Sequence, residues 1–289
     1  MWWPTTASVA RPGRGVAAAA RSLEARRSLS DSTCGAGQSG RPRGARLRLS
    51  VVIPALNEAD TLGACLAALA DLRAAGHEVI VVDGGSTDGT PGRAGGSADR
   101  VLPSARGRAV QMNAGAGVAR GDALLFLHAD TRLPAGADVL VAGALSGGHR
   151  WGRFDVRLSG HRPVFRVIEW LMNVRSCVTG IATGDQALFV ERALFDQAGG
   201  YPPIALMEDI AMSRRLKRMG GRPACVRVPA VTSSRRWERH GPLRTVLLMW
   251  RLRAAYALGA DPARLVAVYY GASDSSPGTA SRGKGPEDG

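Results

Sequence analysis

The sequence is poor in cysteine. Cys34, Cys65, Cys177 and Cys225 are scattered along 289 residues with no paired spacing, which suggests neither a zinc cage nor a disulfide framework and leaves a reducing compartment as the expected setting. Long apolar runs are missing too. Nothing approaches the ~18 residues of a membrane span, so a soluble chain is expected. The phosphate-cradling patterns GxxxxGK[ST] and GxGxxG after a first strand are absent, and no internal repeat is evident. Acids are scarce in the first fifty residues, where only Glu24 and Asp31 occur.

That shortage has a consequence for charge. About half of the formal net charge of +14 comes from those fifty residues. Residues 1–46 mix Arg with Ala, Gly and Ser in low-complexity order, which reads as a disordered tail or as an Arg-rich, acid-poor transit peptide. The second reading would send the protein to a mitochondrion or plastid; otherwise a cytoplasmic location is expected. Residues 271–289 are equally poor in apolar side chains and also read as a disordered tail. Residues 47–270 remain as one catalytic domain.

Within that span, apolar runs alternate with helical patterns. "LRLSVVIP" reads as a strand, and "EADTLGACLAALADLRAAG" as a helix with Leu62, Cys65, Leu66, Leu69 and Leu72 on one face. Val79 to Val82 form a second strand closing into a Gly-rich turn at Asp83, "DRVLP" a third, and "ALLFL" a fourth, with a helix from Arg108 to Ala119 between the last two. Such alternation predicts an α/β fold with a mostly parallel sheet flanked by helices. "ALMEDIAMSRRLKRMGG" predicts a further helix with Met212, Leu216 and Met219 on one face. "GPLRTVLLMWRLRAAYALG" predicts a core-packing helix, with an amphipathic surface helix as the alternative.

Ligands of open parallel sheets bind beyond the carboxyl ends of the strands. Three strands deliver polar groups there: Asn57 and Glu58 after Pro54, Asp83 to Asp88, and His128 with Asp130. Asp83 can accept hydrogen bonds from a base or ribose, or its turn can be only a tight connection. Asp130 and His128 can reach one divalent ion if the backbone bends between them, or they are a turn residue and a core histidine. Glu208 and Asp209 suit the start of a helix dipole. Arg235 and Arg236 beside Trp237 can clamp phosphates or stack on a ring, or form a solvated basic loop.

Taken in order, "VVIPALNEADTL", "VVDGGSTDGT", "LLFLHADT" and "MEDIAMSRRLKRMGG" resemble the motifs of the family 2 glycosyltransferases, whose core is the GT-A fold. The strings "GRAVQMNAGAGVARGDALLFLHADTRLP", "GDQALFV", "GGYPPIALMEDI" and "SSRRWERHG" are most similar to the branch called radical-SAM/selenodomain-associated transferase 2, or arsenosugar-biosynthesis glycosyltransferases.

The resemblance implies roles. Asp83 would recognise the nucleotide base; Pro54, Asn57, Glu58 and Asp88 would shape the nucleoside pocket; Arg108 and His128 would sit on the nucleotide-sugar side. Asp130, in the place of the last Asp of the family's D-x-D, would bind Mn²⁺ or Mg²⁺, with His128 replacing the first Asp. Asp209 would be the general base, with Glu208 second. Asp185, Gln186, Arg235, Arg236 and Trp237 would face the acceptor or diphosphate. The implied reaction is metal-assisted, inverting transfer of a sugar from a nucleotide-sugar, UDP-linked by family expectation, to a hydroxyl of a small-molecule or glycan acceptor. Acceptor specificity would lie in Trp151 to Thr183.

Two other readings compete. Nucleotidyl transfer uses the same kind of sheet, but "PALNEAD" puts acids where a basic loop would be needed. A non-catalytic protein could bind nucleic acid or an anionic membrane surface through its Arg-rich tail, although that tail has few aromatics beyond Trp2 and Trp3. No specific nucleic-acid partner and no transmembrane segment are expected, with weak membrane-surface association left open.

Overall fold

A computed structural model describes residues 46–274. Strands β1 (Leu49–Ala55), β2 (Glu78–Asp83), β3 (Arg100–Pro103) and β4 (Ala123–Phe126) alternate with helices α1 (Ala59–Ala67), α2 (Ala70–Ala74), α3 (Thr90–Ala94) and α4 (Arg108–Val118). There follow β5 (Thr131–Arg132), α5 (Ala137–Ser146), β6 (Trp151–Leu158), α6 (Pro163–Thr179), a 3-10 turn (Gly184–Gln186), β7 (Phe189–Glu191) and α7 (Arg192–Gln197). The described chain ends with α8 (Glu208–Gly220), β8 (Ala224–Thr232), α9 (Arg235–His240), α10 (Pro242–Ala257) and α11 (Pro262–Asp274).

The eight strands form one sheet in the order β3-β2-β1-β4-β7-β6-β8-β5. Its first half is parallel, β1 pairing with β2 and β4, and β2 with β3. Beyond β4 the sheet is mixed, because β7 runs antiparallel to both β4 and β6 while β8 lies parallel to β6. Continuous apolar strands suit a sheet covered on both faces, and alternate side chains divide accordingly. Val51, Ile53, Val79 and Val81 join Leu62, Cys65, Leu66, Leu69 and Leu72 in one core. Val52, Ile80 and Val82 join Met112 and Ala116 in the other. Gly115 lets α4 lie close to the sheet, since a Cβ there would meet Val82 Cγ2 at 2.9 Å.

Several expectations need correction. The single helix predicted after β1 is two, α1 and α2, which nonetheless bury the predicted face. Met219 is exposed, whereas Met212 and Leu216 are buried. Helix α10 is not simply core-packing: Thr245 and Leu252 face inward, but Leu243, Leu247 and Trp250 are exposed. The 271–289 tail was drawn too long, because α11 runs to Asp274. Cys177 and Cys225 form a disulfide between α6 and β8, with Cα atoms 5.9 Å apart. Spacing could not show that pair, since folding brings together cysteines 48 positions apart. Cys65 is free and buried, while Cys34 and the remainder of the predicted tails lie outside the described residues.

Candidate active site

The connection after β1 runs to β2 on one side, whereas β4 returns to the other. Neighbouring strand ends whose connections leave in opposite directions make a crevice. Glu58 follows β1 there, and His128 and Asp130 follow β4.

On the β2 side, the turn is locked by its own polar groups. Asp83 Oδ2 accepts the backbone N–H groups of Gly85 and Ser86, each at 3.0 Å. Its Oδ1 is buried without a hydrogen-bond partner, a position that calls for a donor from outside the chain. Asn57 accepts from the Thr87 N–H and donates its own backbone N–H to Ser86 Oγ. Asp88 accepts from Thr90 and from the Ala59 N–H at the start of α1. These bonds, first those from Thr90, hold the Asp88 carboxyl below its usual range. Asn57 and Asp88 thus shape the loop by tying its strands together.

At the β4 side, Arg108 Nε lies 3.3 Å from Glu208 Oε1, and Arg108 Nη2 contacts His128 Nε2. Burial first, and the Arg108 cation second, keep His128 well below its ordinary pKa and therefore neutral. His128 was expected to ligate a metal with Asp130; instead its Nε2 faces a guanidinium. Gly184 is required beside this pair, because a Cβ would overlap Arg108 Nη2 and His128 Nε2. Gly184 also donates its N–H to Asp209 Oδ2 at 3.1 Å. Glu208 is buried, and burial foremost, with Asp209 adding repulsion against the pull of Arg108, raises its pKa. Glu208 is thus engaged by Arg108, and Asp209, half-buried at the start of α8, by the Gly184 N–H.

Asp130 faces Glu58 and Arg235. Arg235 Nη2 lies 3.4 Å from Glu58 Oε2 and 4.0 Å from Asp130 Oδ2. Burial and then the Glu58 charge raise the Asp130 pKa, while Arg235 lowers it. Among the described residues no three His, Cys, Asp or Glu side chains gather as a metal cluster. Two carboxylates turned toward one cation nevertheless match the hard oxygen donors that Mg²⁺ and Mn²⁺ take. A small pocket on the Arg108 side has walls that include Pro54, His128, Gly184, Tyr201 and Asp209.

The profile described as "Glycosyl transferase family 2" matches residues 50–150. Residues 50–150 are thus similar to the family 2 glycosyltransferases. Over 166 residues it is 32% identical to the "PGL/p-HBAD biosynthesis glycosyltransferase" of Mycobacterium tuberculosis, a match covering 53% of this chain and 62% of that protein. The same protein of Mycobacterium bovis gives identical figures. The chain thus spans less than two thirds of the length of these relatives. Among solved structures, a mannosyltransferase of Pyrobaculum calidifontis in complex with GDP-Man and Mn²⁺ aligns with a TM-score of 0.55 and 21% identity, over 80% of this chain and 71% of that one. S. aureus TarS 1-349 in complex with UDP aligns at 0.54 and 17%, over 65% and 60%. These likenesses establish the GT-A-type fold.

The matched segment holds Asp83, Arg108 and Asp130 and stops before Asp185, Asp209 and Arg235. Asp185 Oδ1 is buried without a partner. Three other expected contacts are corrected. Gln186 is fully buried, its amide engaged by Thr183 and Ser176, so it builds the turn rather than facing a ligand. Arg236 lies over the Tyr269 ring, 3.8 Å from the centroid. Trp237 packs with Leu158, Phe165 and Ile168. Sequence reasoning missed Gly184 and Tyr201; the first sits inside the quoted string "GDQALFV" and the second inside "GGYPPIALMEDI", but only folding places them against Arg108 and Asp209.

Proposed function

We propose that the whole protein transfers a sugar from a nucleotide-sugar to a hydroxyl acceptor with inversion, using Asp209 as general base. The observations that carry this reading are an unpartnered Asp83 oxygen after β2, Glu58 after β1 and Asp130 after β4 both facing Arg235, and Asp209 held by the Gly184 N–H. Asp83 Oδ1 takes a donor from the nucleotide base, and Arg108 and Arg235 offset charge on the diphosphate as it leaves. Asp209, held by the Gly184 N–H, receives the proton of the attacking hydroxyl as the new glycosidic bond forms. Asp130 and Glu58 would hold a divalent cation, which supplies neutralisation of phosphate charge.

The UDP bound by TarS and the GDP-Man with Mn²⁺ bound by the Pyrobaculum enzyme support a nucleotide-sugar donor and a cation here; the motif resemblance favours UDP. The arsenosugar branch resemblance adds a small-molecule acceptor and a cytoplasmic setting. No helix of the described residues is long and apolar enough to cross a membrane. The exposed Trp170 and Leu171 of α6, and Leu247 and Trp250 beside Arg251 of α10, favour weak contact with an anionic membrane surface.

Calorimetry tests the donor site. UDP is expected to bind with Mn²⁺ present, at least tenfold more weakly to Asp83→Ala and without Mn²⁺ enhancement to Asp130→Ala. No binding of UDP or GDP by the wild type contradicts the reading.

A further inference from the structure

Two unmatched polar groups remain buried next to Asp209. Arg175 Nη2 has no hydrogen-bond partner, and neither does Asp185 Oδ1. Buried groups left unpaired in a folded chain are expensive, so a pair of them beside a catalytic base asks for a ligand.

Three elements bring these groups together. The Gly184–Gln186 turn is pinned at both ends: Gly184 donates to Asp209, and Gln186 Nε2 donates to Ser176 Oγ at 2.9 Å on α6. Arg175 precedes Ser176, and the Cys177–Cys225 disulfide anchors the same turn of α6 to β8. On the third side, Leu252 of α10 shares a buried cluster with Met207 and Ile210, the residues that bracket Glu208 and Asp209. Arg253 follows Leu252. It is the charge acting most strongly on Arg175, ahead of Asp185 and Asp209. Burial and this second cation pull the Arg175 guanidinium down to about 10.

No side-chain hydrogen bond or ion pair holds Arg175 or Arg253 among the described residues. Two guanidiniums held near each other without an anion between them repel, and an oxyanion forked between them would relieve that repulsion. Asp185 and Asp209 supply the opposite chemistry, accepting from hydroxyls. The result is a bipolar subsite, cationic toward α6 and α10 and hydroxyl-accepting toward the base.

Resting on the glycosyl-transfer reading of Asp209, we propose that Arg175 and Arg253 form the anion-binding end of the acceptor site, so the acceptor is a hydroxylated small molecule carrying a carboxylate or phosphate. Arg175 here is a specificity-determining residue: it holds the far end of the acceptor while a hydroxyl reaches Asp209. The shared chemistry is an oxyanion on a polyol.

The test titrates matched polyols, glycerol, glycerate and glycerol 3-phosphate, into the full chain saturated with UDP and Mn²⁺ at fixed ionic strength. Midpoint shifts in thermal unfolding report binding. UDP affinity, measured first, separates the two levels of the argument: a wild type that does not bind UDP overturns the transferase reading, and this inference with it. Given UDP binding, at least one anionic polyol is expected to bind tenfold or more tightly than glycerol. Glycerate against glycerol 3-phosphate then tells carboxylate from phosphate. Arg175→Gln should erase the preference while leaving UDP affinity unchanged, and Arg175→Lys should restore part of it. If no anionic member binds better than glycerol, or if Arg175→Gln and Arg253→Gln both keep the preference, the inference is overturned.

Discussion

Asn57, Ala187 and Met207 are the non-glycine residues with a left-handed backbone among those described, at φ 54°, 45° and 69°. L-residues adopt that region at a cost, and such strain gathers at functional sites. Asn57 precedes Glu58, Ala187 follows the Gly184–Gln186 turn, and Met207 precedes Glu208, so the strain adjoins residues of the candidate site. Glu208 carries a titration consequence. Its raised pKa means the folded protein keeps a proton that the unfolded chain releases near ~4.3. The folded state therefore binds more protons above that value, and stability falls as pH rises through the window up to the raised pKa. Glu208→Gln cannot titrate, so its stability relative to wild type should improve between pH 4 and 7 in urea unfolding; a difference that stays constant with pH contradicts the assignment.

At the scale of elements, the parallel half of the sheet was legible because each strand is a continuous apolar run. "EVIVVD" and "ALLF" are buried throughout, and "LSVVIPA" everywhere but Pro54. The placement of Glu58, Asp83 and Asp130 at or just beyond strand ends was legible for the same reason. The other half was not, because β7 has three residues and β5 two, too few for a period. Arg236, Trp237 and Gln186 were misplaced because their partners, such as Tyr269 and Ser176, are distant in sequence and only tertiary packing joins them. Helices α6 and α10 present apolar side chains outward, among them Val167, Trp170, Leu247 and Trp250. Their Phe165, Ile168 and Val246 share one small core, so the two helices are neighbours. Wild-type protein should sediment with phosphatidylglycerol vesicles more than with phosphatidylcholine vesicles, and Trp170→Ser with Trp250→Ser should weaken this several-fold. Unchanged sedimentation in the double variant would assign the effect to other basic regions.

For the whole molecule, the Cys177–Cys225 pairing removes the sequence argument for a reducing compartment and ties α6 to β8 of the sheet. Closing a loop with a sequence separation of 48 stabilises by about 4 kcal/mol in the chain-entropy account. Reduction is therefore expected to lower the unfolding midpoint by several degrees, and an unaltered midpoint after thiol quantitation confirms reduction would count against the pairing. The deeper claim is that donor, cation and base meet in one crevice to move a sugar. Its most direct measurement is nucleoside diphosphate release from a panel of nucleotide-sugars with a mixed pool of hydroxyl acceptors, comparing wild type with Asp209→Asn. The account predicts nucleoside diphosphate and a glycosylated product with wild type, and a loss of at least 100-fold in Asp209→Asn with donor binding retained, on the scale of general-base catalysis. Release of pyrophosphate instead, or full activity without Asp209, would contradict it.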